Sequence, residues 1–264
     1  MKTYLDKETK EQRKARKQQG KLDSPVVASS AKRYVVCLKY GDKYSAEYVN
    51  RLYRMVSRNL TLEHEFVCFT ENAQGIDKNI SVRDLPVHSG IQGWWYKPFF
   101  FNPSLGLNAT ILFLDLDMVV FKNIDNLFTY RPGEFIIIRD FNRFLVKNYQ
   151  KFNSSVFRLE PGQHNHVYKE FIKNPQQIMR RFPGDQDWIK NQITRDFAFW
   201  PDEWIQSYKW EMRSKPQMDK APRGERDFLV KGDPKIKPAT SIAVFHGDPN
   251  PHNCKDQWVV DNWQ

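Results

Sequence analysis

Residues 111–121 read Ile-Leu-Phe-Leu-Asp-Leu-Asp-Met-Val-Val-Phe, and this stretch narrows the choice of fold more than any other. The run Ile111-Leu112-Phe113-Leu114 is apolar without polar alternation, the pattern of a strand buried on both faces in the middle of an α/β sheet. Asp115 and Asp117 follow at spacing two. In extended chain, alternate residues share a face, so both carboxylates are expected to point the same way. Two carboxylates converging at the end of a buried strand need a proton or a cation between them, and a hard divalent ion is the usual solution. A pair of solvated loop acids beyond a strand is the plainer alternative, and the rest of the chain has to decide.

The 264 residues suit one large α/β domain or two small ones, and 40% hydrophobic content supports a sizeable core. No apolar run reaches the ~18 residues that would span a bilayer. The N-terminus is charged, without a stretch of signal-peptide character. Cys37, Cys68 and Cys254 are an odd number without metal-ligand spacing, as expected of reduced, packed thiols. These features lead us to expect a soluble, cytoplasmic protein. The net charge of +10 is uneven, with ten Lys or Arg against four Asp or Glu in residues 1–33. Residues 1–31 are therefore expected to be a basic, disordered tail, and 32–264 the folded domain. Such a tail suits an anionic or membrane-associated partner. The mildly basic body carries no nucleic-acid-binding signature, so specific nucleic-acid binding is not expected.

From residue 33 the pattern alternates. Tyr34 to Leu38 form an apolar strand, and Lys39-Tyr40-Gly41-Asp42 a polar turn. Ala46, Val49, Leu52, Tyr53, Val56 and Leu60 then fall at helical spacing. Strands are expected at 65–69 and 80–85. Strand, helix and strand in this order imply a parallel sheet that binds its ligand beyond the carboxyl ends of the strands. Residues 92–101 are expected to be an aromatic-rich helix whose one charge, Lys97, is either a snorkelling surface lysine or a phosphate contact. Further strands are expected at 134–138, 153–159 and 241–245. Helices are expected at 166–173, ended by Asn174-Pro175, and from Asp185. Residues 213–241 read as a long surface loop.

In order, these pieces resemble a GT-A-fold glycosyltransferase of the retaining, family 8-like kind, the superfamily of glycogenin and bacterial galactosyltransferases. Four motifs spread over 33–252 carry the resemblance. Asp115-Leu116-Asp117 looks like the family's metal-binding Asp-x-Asp. Asn153-Ser154-Ser155-Val156 is similar to its Asn-Ser-Gly-Val strand facing the sugar, with Ser155 in place of glycine. Asp185-Gln186-Asp187 is similar to the segment near the reacting carbon. Phe245-His246-Gly247, with Pro251, resembles the terminal His-x-Gly-x-x-Lys-Pro segment, in which Asn250 replaces the lysine.

The resemblance implies a mixed central sheet flanked by helices and a nucleotide-diphosphate sugar donor. It implies Mn²⁺ or Mg²⁺ on Asp115, Asp117 and His246, with Asp185 and Gln186 at the reaction. Donor contacts are expected from Lys39, Tyr40, Asp42, Asn153, Ser154, Gly247 and Asn250, with Lys97 or Lys209 as substitute cation. Two rival readings use the same residues. One is a haloacid-dehalogenase-type phosphatase with Asp115 as nucleophile; the other is a binding protein on a glycosyltransferase scaffold that has no catalytic activity.

Overall fold

The computed structural model describes residues 32–86, 90–214 and 232–264. The basic segment 1–31 and much of the expected surface loop at 213–241 lie outside these described residues. The long apolar run at 111–121 becomes two strands in two different sheets. Its first half is β4 (Thr110–Leu114), in the middle of a seven-stranded sheet. Its second half is β5 (Met118–Val120), an edge strand of a three-stranded sheet. Asp115-Leu116-Asp117 is the joint between them.

The large sheet contains β1 (Arg33–Lys39), β2 (Glu65–Thr70), β3 (Ser81–Asp84), β6 (Phe135–Arg139), β7 (Phe152–Leu159) and β8 (Phe197–Phe199), with strand order β3-β2-β1-β4-β7-β6-β8. From β3 to β4 neighbouring strands are parallel, whereas β7 runs antiparallel to β4 and β6. The small sheet adds β9 (Ile205–Ser207) and β10 (Ile242–Val244), with β10 in the middle. Sequence patterning did not anticipate β8 and β9. Each has three residues, too few to show a period.

Strand alternation sorts the core onto the two faces of the large sheet. Val35, Cys37, Leu112 and Leu114 pack with α1 (Ala46–Asn59) and the small sheet. Tyr34, Val36, Leu38, Ile111 and Phe113 pack on the other face with the aromatic segment. That segment, Gly93–Phe101, is a 3₁₀ helix containing Pro98. Phe113 and Phe157 stack across β4 and β7 with centroids 4.7 Å apart. Two further helices, α2 (Asn126–Thr129) and α3 (His166–Lys173), follow in the chain. Asn174-Pro175 ends α3 as expected, yet also starts α4 (Pro175–Arg181), because proline suits the first helical position and Asn174 Oδ1 accepts from Gln177 N. The last helices are α5 (Asp185–Gln192) and α6 (Gln257–Asn262).

One tie between layers gives a first prediction. Asp125, just before α2, accepts from Thr61 N at 2.8 Å and from the Thr61 hydroxyl. Partial burial pushes its carboxyl upward, but the donors of Thr61, Asn123 and Leu62 outweigh this and hold it below the usual range. The ionised form is therefore favoured by folding. Its contribution is present above the ordinary carboxyl range and disappears as pH falls through the lowered one. Asp125→Ala is expected to cost about 1–2 kcal/mol at neutral pH. Urea melts should show the wild-type and variant midpoints converging as pH drops below about 4.

Candidate active site

The strand order places a ligand site before any side chain is considered. From β1 the chain builds outward to β2 and β3, then returns to place β4 on the other side of β1. Such a reversal leaves a crevice at the carboxyl ends of the two strands, where open α/β sheets bind ligands. Tyr40 follows β1 and Asp115 follows β4, and both line a cleft of about 350 Å³. Lys43, Tyr44, Trp94, Lys97, Asp117 and Asp185 share its lining.

Backbone bonds fix the Asp-Leu-Asp joint. Asp115 N donates to Ser155 O at 2.9 Å, and Asp117 O accepts from Phe245 N at 2.8 Å. Leu116 is buried in the core between them. Both carboxylates thus reach the same cleft.

The cleft holds more negative than positive charge near its floor. Lys97 is buried, and its Nζ donates to Asp115 Oδ2 at 2.9 Å and to Ser154 O and Oγ, each at 3.2 Å. Its burial removes the expectation of a snorkelling surface lysine, and its ammonium is paired with a carboxylate at the cleft floor. Burial opposes its charge, but Asp115, Asp185 and Asp117 outweigh burial and hold it above the usual lysine range. Asp185 opens α5 and is buried, with Oδ2 lacking a hydrogen-bond partner. Burial pushes its carboxyl up, against the pull of Lys97 and a hydrogen bond from Ser154. Asp117 is pushed up to about 6, first by burial and then by the charge of Asp115. Tyr44 donates its hydroxyl to Asp117 Oδ2 at 2.9 Å. Burial and then Asp117 raise the tyrosine, so it stays a protonated donor. One buried ammonium among three carboxylates leaves a deficit that a cation would relieve.

His246 reaches the neighbourhood by another route. It follows β10, whose next residue, Phe245, is bonded to Asp117. Its ring stacks on Phe141 with centroids 5.4 Å apart and meets Trp210 edge-on at 4.6 Å. Burial, and then the charge of Lys209, push it down to about 4, so the imidazole is neutral at pH 7. Its Nε2 is hydrogen-bonded to Ser207 Oγ. Among the described residues, no three His, Cys, Asp or Glu side chains are already arranged to hold a metal. The aspartates and a neutral imidazole have the right chemistry for a divalent ion. The histidine is bonded to Ser207 and would have to exchange that partner to meet an ion held by the carboxylates.

The other expected residues divide. Ser154, Gln186 and Asp187 line the cleft, with Gln186 Nε2 donating to Asp140 Oδ2 at 3.3 Å. Asn153 does not line it, and its Oδ1 accepts from Ser155 N. Lys39 is buried at the end of β1 beside Thr70 and is also absent from the lining. Tyr40 and Trp94 are shared with an adjoining, largely apolar cavity of about 750 Å³ that includes Glu71, Leu85, Trp95 and Tyr96. Asp42 and Asn250 line a third cavity of about 540 Å³, with Tyr44 and Arg51. Lys209 Nζ donates to Asp248 O, beside Gly247, whose φ of +79° favours glycine. Lys43, Tyr44 and Trp94 were not anticipated as site residues. They sit in ordinary polar and aromatic surroundings in the sequence, and only the fold brings them to the aspartates.

No protein-family model matches this sequence, and no curated protein is significantly similar to it. Solved structures are similar in fold. The glycosyltransferase GlyE of Streptococcus pneumoniae TIGR4 superposes with a TM-score of 0.60 at 12% identity, covering 88% of this chain and 62% of its own. The galactosyltransferase LgtC, solved with donor and acceptor sugar analogs, gives 0.56 at 14% identity, covering 87% of this chain and 95% of its own. The bifunctional glycosyltransferase WbbM gives 0.59 at 13% identity, covering 89% of this chain and 50% of its own. This chain thus spans under two thirds of GlyE and half of WbbM, but nearly all of LgtC. Its fold is that of the GT-A glycosyltransferases.

Proposed function

We propose that this protein is a metal-dependent glycosyltransferase, moving a sugar from a nucleotide-diphosphate donor to an acceptor with retention of anomeric configuration. The observation that carries the reading is the carboxylate-rich cleft at the switch point of a GT-A fold, with Lys97 as its buried cation. LgtC, of the same fold, has been solved with donor and acceptor sugar analogs, which supports a nucleotide-sugar donor here.

Asp115 and Asp117 would hold Mn²⁺ or Mg²⁺, with His246 as third ligand if it exchanges Ser207 for the ion. Bound there, the ion would supply electrostatic stabilisation of the leaving diphosphate. Lys97 holds Asp115 and Ser154 in place through its three bonds and brings positive charge to the cleft floor. Tyr44 orients Asp117. Tyr40 and Gly41, on the wall of the apolar cavity, suit the nucleoside. Asp185 and Gln186 face the sugar from the start of α5. An amide cannot act as a base, but its carbonyl oxygen can support a positively charged sugar in the transition state. The phosphatase reading is disfavoured, because the fold is that of glycosyltransferases.

The test is a thermal-shift screen of nucleotide sugars with and without Mn²⁺. A matching donor at about 100 times its Kd should add about 2.7 kcal/mol to stability. Chelator or Asp117→Asn should remove that gain. A full shift in excess chelator would exclude the metal, and a shift with neither hydrolysis nor transfer would favour the binding-protein reading. Retention has its own check: proton NMR of the first-formed product should show the donor's anomeric configuration, and inversion would refute this part of the reading.

A further inference from the structure

We propose that the connection between β6 and β7 is a membrane-contact element, docking the protein on an anionic lipid surface beside the cleft. Large apolar side chains stand exposed singly at Val82, Trp94 and Val260. Phe144, Leu145 and Val146, by contrast, are exposed in one run, at 37%, 44% and 49%. Scattered exposed apolar residues need no explanation, but a consecutive run on one turn does.

The run is not loose chain. Leu145 N and Val146 N both donate to Asn142 O, at 2.9 and 2.8 Å. Arg143, next to the run, grips Glu211 with Nε and Nη2, each at 2.9 Å, and donates to the carbonyls of Arg139, Asp202 and Ile205. A well-bonded turn therefore holds three apolar side chains out in solvent.

Charge and size choose the partner. Lys147 and Lys151 follow the run and are exposed, and no acidic residue occurs from 141 to 159. Apolar side chains beside lysines are the composition of an interfacial anchor, which enters the headgroup layer while its cations meet anionic lipid. Three side chains fall well short of the ~800 Å² per partner of a stable protein interface. They suffice for reversible contact with a bilayer.

The element also touches the cleft. Phe141, two residues before Arg143, stacks on His246, and Asp140 accepts from Gln186. Docking there would bring the cleft to the surface of the bilayer. That the lipid surface also presents the acceptor rests on the transferase reading; the lipid contact does not.

The experiment is co-sedimentation of the full chain with phosphatidylcholine vesicles, with and without phosphatidylglycerol. The wild type should bind the anionic vesicles. The double variant Leu145→Asp/Val146→Asp should partition roughly tenfold or more weakly, with an unchanged melting temperature. Lys147→Glu/Lys151→Glu should weaken binding to anionic vesicles only, by an amount that shrinks as salt rises. Wild-type protein that ignores vesicles would overturn the proposal. So would a double variant that binds as well as wild type, which would assign binding to another part of the chain such as the basic 1–31 segment. A double variant that loses self-association but keeps lipid binding would make the turn an interface between copies instead. The nucleotide-sugar thermal shift should survive in the double variant. Failure of the transferase reading would instead show as no shift in wild type, whatever the vesicles do.

Discussion

Asp185→Asn is expected to lower sugar transfer or donor hydrolysis by about 10²–10³-fold while leaving the protein as stable as wild type or more so. Asparagine matches the shape of the aspartate and can keep its Ser154 contact, so the fold loses no packing. What it loses is a buried charge that folding disfavours, since burial raises this carboxyl. A raised carboxyl makes stability fall as pH climbs past its unfolded value, because the unfolded chain ionises freely and the native chain does not. Thermal melts across that range should show a flatter pH dependence for the variant. Keeping such a carboxylate beside Lys97 and Asp115, with Oδ2 unbonded, is costly to the fold, as expected at a working site. If the group acts mainly in the transition state, kcat should drop while donor affinity stays within a few-fold. Unimpaired turnover would remove Asp185 from the reaction and leave it a helix-start residue.

Arg158→Met should be the most destabilising of these changes, at about 3–5 kcal/mol. Arg158 lies on β7, fully buried, and among the described residues it has no carboxylate within salt-bridge distance. Its guanidinium donates instead to the carbonyls of Leu127, Phe128 and Tyr130 at 2.8–2.9 Å, and of Arg131 at 2.6 Å. The first three are oxygens that a short helix leaves unpaired at its C-terminal end, whereas Arg131 O also accepts from Glu134 N. A methionine would fill the space but leave the carbonyls of Leu127, Phe128 and Tyr130 without this donor inside the protein. Removing a buried charge offsets part of this loss, because burial already disfavours the guanidinium. Unpaired carbonyls outnumber that single charge, so the net effect is a loss. For a domain of this size the melting temperature should fall by about 6–12 °C or more. Arg158→Lys should recover part of it, since an ammonium can still serve some of the carbonyls. Equal melting of Arg158→Met and wild type would show that the carbonyls find other partners.

Much of the fold could be read from sequence where one face or both are apolar over several residues. β4, β7, α1 and α3 lie where their patterns put them, because burial of a whole face dictates period and length alike. The three-residue strands β8 and β9 have no period to read, and nothing in the run from Met118 to Val120 marks it as the edge of a second sheet. An apolar run states that residues are buried, not which sheet buries them.

The site shows the same division. By itself the sequence determined that Asp115 and Asp117 share a direction and that Leu116 is turned away, because alternation is local backbone geometry. It also determined that Asp185 begins a helix, because the chain before it is a breaker and the residues after it are not. Only the tertiary structure decided what those groups meet. Lys97 reaches Asp115 across 18 positions, Tyr44 reaches Asp117 across 73, and His246 turns to Ser207 across 39. Each of these contacts depends on how strands are ordered in the sheets and on which side chains fill the space between layers. Long-range packing sets both, and the spacing of residues along a chain carries no record of it.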